Sequence, residues 1–167
     1  MRWPVLIATA AVVATGCGVF MSEVSGVRDP LTPEQAKAQV ADAALELKSV
    51  LGIPVTEAWV FLSSCNDQGE PPFRGQAAVH YPLARGRDDA LAETAGFLHN
   101  LEAAGWTVLP PEYKGGQSMS AEKDGVTVRF EVQGASSKGR VITMLGQCRD
   151  VTTAKVNQGD WQPIPGI

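Results

Sequence analysis

The N-terminal segment is the feature that most constrains the fold, because it removes the first sixteen residues from any globular core. From Val5 to Thr15, nine of eleven residues are apolar, and Arg2 supplies a positive charge just before them. A helix of eleven residues is about 16 Å long, roughly half the thickness of the hydrocarbon core of a bilayer. The segment is therefore too short to span a membrane stably, and it is typical of the apolar region of a secretory signal peptide.

The apolar run ends in Ala14-Thr15-Gly16-Cys17, which resembles the lipobox of bacterial lipoproteins. The resemblance implies that residues 1–16 are a lipoprotein signal peptide and that Cys17 becomes the acylated N-terminus of the mature chain. Ala14 stands where that family most often has Leu, and Ala14 with Gly16 also satisfies the small-residue rule of ordinary signal peptidase, which would leave a free thiol. A buried N-terminal helix with a core cysteine is a further alternative.

Acylation of Cys17 would decide where the protein lies. Each buried CH₂ group contributes about 0.8 kcal/mol, so two or three chains of the palmitate type hold a protein stably on a membrane. We then expect residues 17–31 to be a lipidated, flexible tether, and the protein to lie on the outer face of the cell membrane. The membrane is thus the first expected partner.

Two cysteines remain once Cys17 is assigned to lipid, and an even pair is typical of an exported protein. A bridge between Cys65 and Cys148 would close a loop of about 84 residues, worth about 4–5 kcal/mol in the chain-entropy model. Two separate buried thiols are the main alternative. A metal-binding or catalytic cysteine is a weaker one, because the sequence has no C-x-x-C motif and no histidine near either residue.

Residues 32–149 predict a single α+β domain with the element order α-β-β-α-β-β-β-β. The expected architecture is a two-layer sandwich, in which two helices pack on one face of a mostly antiparallel sheet. The first helix has an N-cap and capping box at Thr32-Pro33-Glu34-Gln35. Asp124-Gly125 predicts the two-residue turn of a hairpin. We expect residues 150–167 to be a C-terminal tail.

The second helix is predicted from about Asp88 to Ala104, with Asp88 or Asp89 near its N-terminus. Its expected buried stripe consists of Leu91, Ala95, Leu98 and Leu101. We expect the tail from Arg149 to be loose, with docking of Trp161 on the domain as the alternative.

The strand from Thr56 to Cys65 carries apolar side chains on both faces, which favours either a central strand or an open face that something covers. We therefore expect the contact surface to be the sheet face away from the helices, or the polar loop from Asn66 to Arg74 beside it. That loop favours an Asx turn, with a hard-cation site as the alternative. The candidate binding surface comprises Trp59, Phe61, Asn66, Asp67, Arg74 and Arg129.

Composition excludes several kinds of function. The formal net charge is −4, which disfavours a nucleic-acid partner, and two histidines cannot supply a multi-histidine metal site. No motif combines a nucleophile with a base, and we expect His80 and His99 to be solvated or to lie at a rim. The sequence thus predicts a protein that is not an enzyme and that has no metal or cofactor.

Features along most of the chain resemble the small cell-envelope lipoproteins of actinobacteria, many of them mycobacterial and without known activity. The shared features are the lipobox, Leu31-Thr32-Pro33-Glu34-Gln35, Ser64-Cys65-Asn66-Asp67, Ala104-Gly105-Trp106 and Cys148. The resemblance implies export, lipid attachment and an α+β domain. We expect a non-enzymatic binding or accessory domain whose partner is an envelope protein or a lipid. The alternatives are a carrier of a lipid or small apolar ligand and, with less support, a hydrolase of envelope polymers that uses His80 or His99.

Overall fold

The structure is a computed structural model that describes residues 26–111, 118–132, 139–157 and 159–167. The predicted signal peptide, the predicted acylation site Cys17 and most of the predicted tether lie outside the described residues.

Within the described ranges, two helices and seven antiparallel strands form the α+β fold that the sequence predicts. The helices are α1 (Pro33–Leu51) and α2 (Arg87–Ala103). The strands are β1 (Glu57–Ser64), β2 (Phe73–Tyr81), β3 (Thr107–Leu109), β4 (Ser118–Lys123), β5 (Val126–Glu131), β6 (Arg140–Leu145) and β7 (Gln162–Pro163), and a 3-10 turn covers Lys155–Asn157. Their order across the sheet is β3-β4-β5-β6-β2-β1-β7.

Helix α1 begins at the predicted residues, and both of its ends carry strong local signals. The Thr32 hydroxyl accepts a hydrogen bond from the Gln35 amide at 3.2 Å, and the Gln35 side chain accepts one from the Thr32 amide at 2.9 Å. These two bonds satisfy free donors of the first turn. At the other end Gly52 adopts the left-handed conformation, with φ of 61°, and its amide bonds to the Lys48 carbonyl.

The buried stripe of helix α2 differs from the predicted one, because three of its four residues lie one position earlier in the sequence. Its buried residues are Ala90, Thr94, Phe97 and Leu101, and only the last of these belongs to the predicted set. The side chain of Ala95 is exposed. Asp88 and Asp89 lie in the first turn, near the N-terminus as predicted, and the N-cap is Gly86, which makes no side-chain hydrogen bond.

The hairpin of β4 and β5 has the predicted two-residue turn. Met119 lies opposite Phe130, and Ala121 lies opposite Val128. Asp124 and Gly125 have φ values of 50° and 76°, as a type I′ turn requires. At the turn, the Gln39 side chain of α1 donates a hydrogen bond to the Asp124 carbonyl at 3.2 Å, which links the helix to the end of the hairpin.

A single core joins both helices to one face of the sheet. Fully buried members include Val40, Ala44, Leu47, Leu101, Ala77, Val79, Val128, Phe130, Ile142 and Met144. Phe97 of α2 lies between two rings, with centroids 6.2 Å from Tyr81 and 5.9 Å from Phe130. These contacts select the observed face of α2. Beside them the Arg140 guanidinium lies 4.3 Å from the Tyr81 ring centroid.

The C-terminal segment forms part of the sheet rather than a loose tail. Gln162 and Pro163 pair with Val60 and Trp59 at the outer edge of β1. Ile164 is 3% exposed and belongs to the core. Two backbone bonds strengthen the pairing, since the amides of Gly159 and Ile164 donate to the carbonyls of Leu62 and Ala58 at 3.0 and 3.1 Å. The domain therefore continues beyond the predicted boundary at residue 149.

Cys65 and Cys148 form a disulfide, with their Cα atoms 6.0 Å apart. The bridge joins the residue after β1 to the segment that follows β6. Close to it, the Phe73 amide donates to the Asp150 carbonyl, and the Asp150 amide donates to the Phe73 carbonyl. The covalent link and these paired bonds hold the same end of the sheet.

Candidate functional site

The side chains that alternate with the core positions form a second sheet surface, which we call the open face. Strand register places Trp59 opposite Ala78, Phe61 opposite Gln76, and Arg129 opposite Thr143. Ser63 lies opposite Arg74 in the same way. Because side chains alternate along a strand, all of these residues lie on the side of the sheet away from the helices. Four of the six predicted surface residues therefore share one face.

Two arginines from different parts of the chain meet in one cavity on the open face, which we call the arginine cavity. Its volume is about 490 Å³, and it is lined by Arg74, Gln76, Ser118, Arg129, Glu131, Thr143 and Leu145. The lining comes from β2, β4, β5 and β6, so the cavity exists only because β6 lies between β5 and β2. Although Leu145 lies on the open face, it is only 9% exposed and gives the cavity an apolar floor.

The electrostatic environment of the cavity is positive around Arg74. Burial lowers the pKa of the Arg74 guanidinium, and the nearby positive charge of Arg129 lowers it further. The Arg74 Nε atom is buried and has no hydrogen-bond partner among the described residues. Glu131, at the exposed end of β5, contributes a negative charge to the same cavity. The cavity therefore combines guanidinium and hydroxyl donors with carboxylate and hydroxyl acceptors.

Phe61, a member of the predicted binding surface, lies on the open face, but its ring is covered by a neighbouring side chain. The Phe61 ring stacks on Trp161, with centroids 4.0 Å apart and planes inclined by 27°, and Phe61 is only 9% exposed. Trp161 is itself 52% exposed. The aromatic side chain that faces solvent here therefore comes from the C-terminal segment. Trp59 is half-buried beside it, and its Nε1 atom donates to a Glu57 carboxylate at 3.5 Å.

Asn66 is occupied within its own loop and is not available as a binding group. Its Oδ1 atom accepts from the amides of Gln68 at 3.1 Å and Glu70 at 3.2 Å, which is the Asx arrangement expected from the sequence. Its Nδ2 atom donates to the Glu70 carbonyl at 3.0 Å. Asp67 remains exposed. Throughout the described ranges, no three histidine, cysteine or acidic side chains are grouped as metal ligands would be.

The two histidines lie apart from the cavities. His80 is half-buried on β2, and its backbone carbonyl accepts hydrogen bonds from Thr56, whereas His99 is exposed on α2. Three further cavities lie at the start of α1, between α1 and the hairpin turn, and beside the start of α2, with volumes of about 590, 260 and 450 Å³. Like the arginine cavity, each includes charged side chains, and a histidine lines none of the four.

Sequence reasoning missed Gln76, Ser118, Thr143 and Trp161 as members of this surface. The first three follow from strand register, because they share the face of Arg74 and Arg129, but the strand order had to be known first. The signal for Trp161 was its position among apolar and proline residues near the C-terminus. Across the described part of the chain, no helix has both the length and the apolar character needed to cross a membrane.

Comparison with known proteins gives one consistent result. A family model described as "Putative lipoprotein LppJ" matches residues 32–166. A Mycobacterium bovis protein of that description is 29% identical over 164 residues, which cover 90% of this chain and 83% of that protein. Proteins of the same description from two strains of Mycobacterium tuberculosis are 32% identical over 127 residues, which cover 74% of this chain.

The matched part spans 64% of the length of the two Mycobacterium tuberculosis relatives. No solved structure matches the chain. The family match covers the whole described domain from the N-cap of α1 to the C-terminal segment beyond β7. The chain therefore belongs to the LppJ family of lipoproteins.

Proposed function

We propose that this protein is an exported lipoprotein, held on the outer face of the cell membrane by acyl chains on Cys17, and that it acts there as a non-enzymatic binding or accessory domain. The open face of the sheet is the proposed contact surface. The arginine cavity is the single observation that carries the binding role, because it brings polar side chains from four strands to one place.

The anchor is supported by the lipobox resemblance of Ala14-Thr15-Gly16-Cys17 and by membership of a family named for lipoproteins. The Cys65–Cys148 disulfide agrees with an oxidising compartment. An anchored protein needs no apolar membrane-binding patch of its own, so the charged open face remains available for another partner.

The carrier alternative has less support. An apolar ligand requires an apolar cavity between the helices and the sheet, and that space is filled by side chains such as Leu47, Val79 and Met144, which are fully buried. The hydrolase alternative requires a histidine beside a nucleophile or a carboxylate in a cleft. His80 and His99 lie outside the arginine cavity, and we therefore do not propose it.

Mass spectrometry of the intact mature protein tests the anchor. We expect the wild-type protein to begin at Cys17, to carry diacylglyceryl and acyl groups, and to fractionate with membranes. The matched Cys17→Ser variant should lack these masses and leave the membrane fraction. A wild-type N-terminus that carries no lipid would contradict the proposal.

Site-specific photo-crosslinking tests the contact surface. A photoreactive amino acid at Thr143, in the centre of the open face, should give discrete crosslinked products in intact cells. The control carries the same amino acid at Glu102, which is exposed on α2. Equal crosslinking at both positions, or none at Thr143, would refute the open face as the contact surface.

A further inference from the structure

The chain that leads from the predicted anchor joins the domain at a fixed point. The Arg149 side chain donates from Nε to the Asp29 carbonyl at 2.7 Å, and the Leu31 amide donates to the Arg149 carbonyl at 2.9 Å. Arg149 follows Cys148, whose disulfide holds the same end of the sheet. Asp29 comes twelve residues after Cys17, so that even a fully extended chain between them spans at most about 40–43 Å. Acylation of Cys17 would therefore keep this end of the domain within about one domain diameter of a bilayer.

The two most exposed large apolar side chains among the described residues lie at this end. Val156 is 86% exposed, and Trp161 is 52% exposed. Val156 lines the cavity of about 590 Å³ at the start of α1 together with Pro33 and Asp160. Pro33 is only four residues after Asp29, and Trp161 directly follows Asp160. We call Pro33, Val156 and Trp161 the tether corner, because they surround the place where the predicted tether meets the domain.

The side chains of the tether corner suit the boundary between lipid and water. Tryptophan is enriched at membrane interfaces, because its ring is largely apolar and its N–H group can still bond to water or to headgroups. Charge does not direct the corner to anionic lipids, since the cavity lining has Lys37 against Glu34 and Asp160. Two side chains bury too little apolar area to hold a protein on a membrane by themselves. A short connection to an anchor raises their effective concentration at the surface, so that a weak contact becomes sufficient.

We propose that the tether corner inserts into the interfacial layer of the bilayer, with Trp161 as the principal contact. The acyl chains would then hold the protein, and the corner would orient it. Strand β2 runs from Phe73, which pairs with Asp150 at the tether end, to Tyr81 at the far end, about 27 Å away. The start of α2 therefore faces away from the lipid. This inference rests on the proposed lipid anchor and adds the surface that meets the membrane.

Quenching of tryptophan fluorescence by brominated lipid tests the contact. The mature protein is reconstituted in vesicles of phosphatidylcholine, either with bromine near the headgroup end of an acyl chain or without bromine. The emission of Trp161 is the difference between the wild type and Trp161→Phe, which keeps an aromatic ring against Phe61. We expect bromine to lower this emission at least twofold. The loss should be the same at high salt, because the contact is apolar.

Leu83 provides a matched control, because it is an exposed apolar side chain just beyond the far end of β2. In the double variant Trp161→Phe with Leu83→Trp, the added indole should keep its emission. Val156→Glu should reduce the quenching of Trp161 at least twofold, since a carboxylate is costly to bury in lipid, whereas Leu83→Glu should leave it unchanged. Circular dichroism checks that each variant is folded. Equal quenching of the indoles at Leu83→Trp and at Trp161 would overturn the proposal.

Flotation of the same vesicles separates failure of this inference from failure of the anchor. Protein that floats through acyl groups on Cys17, while bromine does not quench Trp161, would refute this inference alone. Protein that carries no acyl groups and stays outside the vesicle fraction would refute the anchor, and this inference with it. A photoreactive amino acid in place of Trp161 that gives protein adducts in cells, without quenching in vesicles, would assign the corner to a protein partner and overturn the lipid contact.

Discussion

Gly75 provides the sharpest test of how α1 packs on the sheet. A Cβ atom added at this position would lie 1.9 Å from the carbonyl oxygen of Ala36 and 2.7 Å from its carbonyl carbon. Ordinary contact begins at 3.4 Å, so the helix and the strand would have to separate by about 1.5 Å. The obstacle is helix backbone, which cannot rotate away as a flexible side chain can.

We therefore expect Gly75→Ala to lower the free energy of unfolding by about 3 kcal/mol, the upper part of the range for overpacking. For a domain of this size the corresponding fall in Tm is about 6–12 °C. Urea unfolding followed by circular dichroism measures the change, provided that the slope against denaturant is the same for both proteins.

Gly96→Ala is the matched control, because it adds the same methyl group in α2 where nothing lies within 4 Å. Alanine is the better helix former, so this variant should gain up to about 1 kcal/mol. The two substitutions should thus have opposite signs. A Gly75→Ala protein within about 0.5 kcal/mol of wild type would refute the close approach of α1 to β2.

Other predictions concern the disulfide, the aromatic stack and a buried phenol. Replacing both Cys65 and Cys148 by Ser should lower the free energy of unfolding by about 4–5 kcal/mol in the chain-entropy model, and a change below about 1 kcal/mol in urea unfolding would contradict it. A double-mutant cycle of Trp161→Ala and Phe61→Ala should give a coupling energy of about 0.5–1.5 kcal/mol, and a value near zero would show that the rings stack without stabilising each other. Burial raises the pKa of Tyr81, so the folded state favours the neutral phenol and wild-type stability should fall as pH rises above the unfolded pKa of about 10. Tyr81→Phe should reduce that fall in alkaline urea titrations, and the same pH dependence in both proteins would exclude the explanation.

Elements that depend on neighbouring residues could be predicted from the sequence. Helix α1 has its capping box and terminal Gly52, and the hairpin has a two-residue turn that admits positive φ at Asp124 and Gly125. These signals act within a few residues, and the structure contains both elements at the predicted positions.

Elements that depend on distant contacts could not be predicted in the same way. In α2, Ala90 and Leu91 are adjacent apolar residues, as are Phe97 and Leu98, so the pattern fits two faces. Packing of Phe97 between two core rings selects one of them. Strand β7 has only two residues, one of them a proline, so its own sequence does not indicate a strand. It is defined by its pairing with β1.

The arginine cavity could likewise be predicted only in part, because its residues come from strands that are far apart in the sequence. Arg129 could be assigned to a strand and to a face, whereas Arg74 was predicted at the end of a polar loop and lies in β2. Both were expected on the contact surface. Their meeting requires the strand order β5-β6-β2, which the sequence pattern does not contain. The polar wall residues follow only once that order is known.

The pairing of the last residues with β1 also determines how the domain meets other chains. An uncovered outer strand offers a row of amides and carbonyls to which another polypeptide can add. Here the carbonyls of Ala58 and Leu62 are already occupied by the amides of Ile164 and Gly159, and Pro163 has no amide hydrogen to offer a newcomer. The final nine residues thus cover this edge of β1, and a chain shortened after Asn157 would expose it to pairing with another chain.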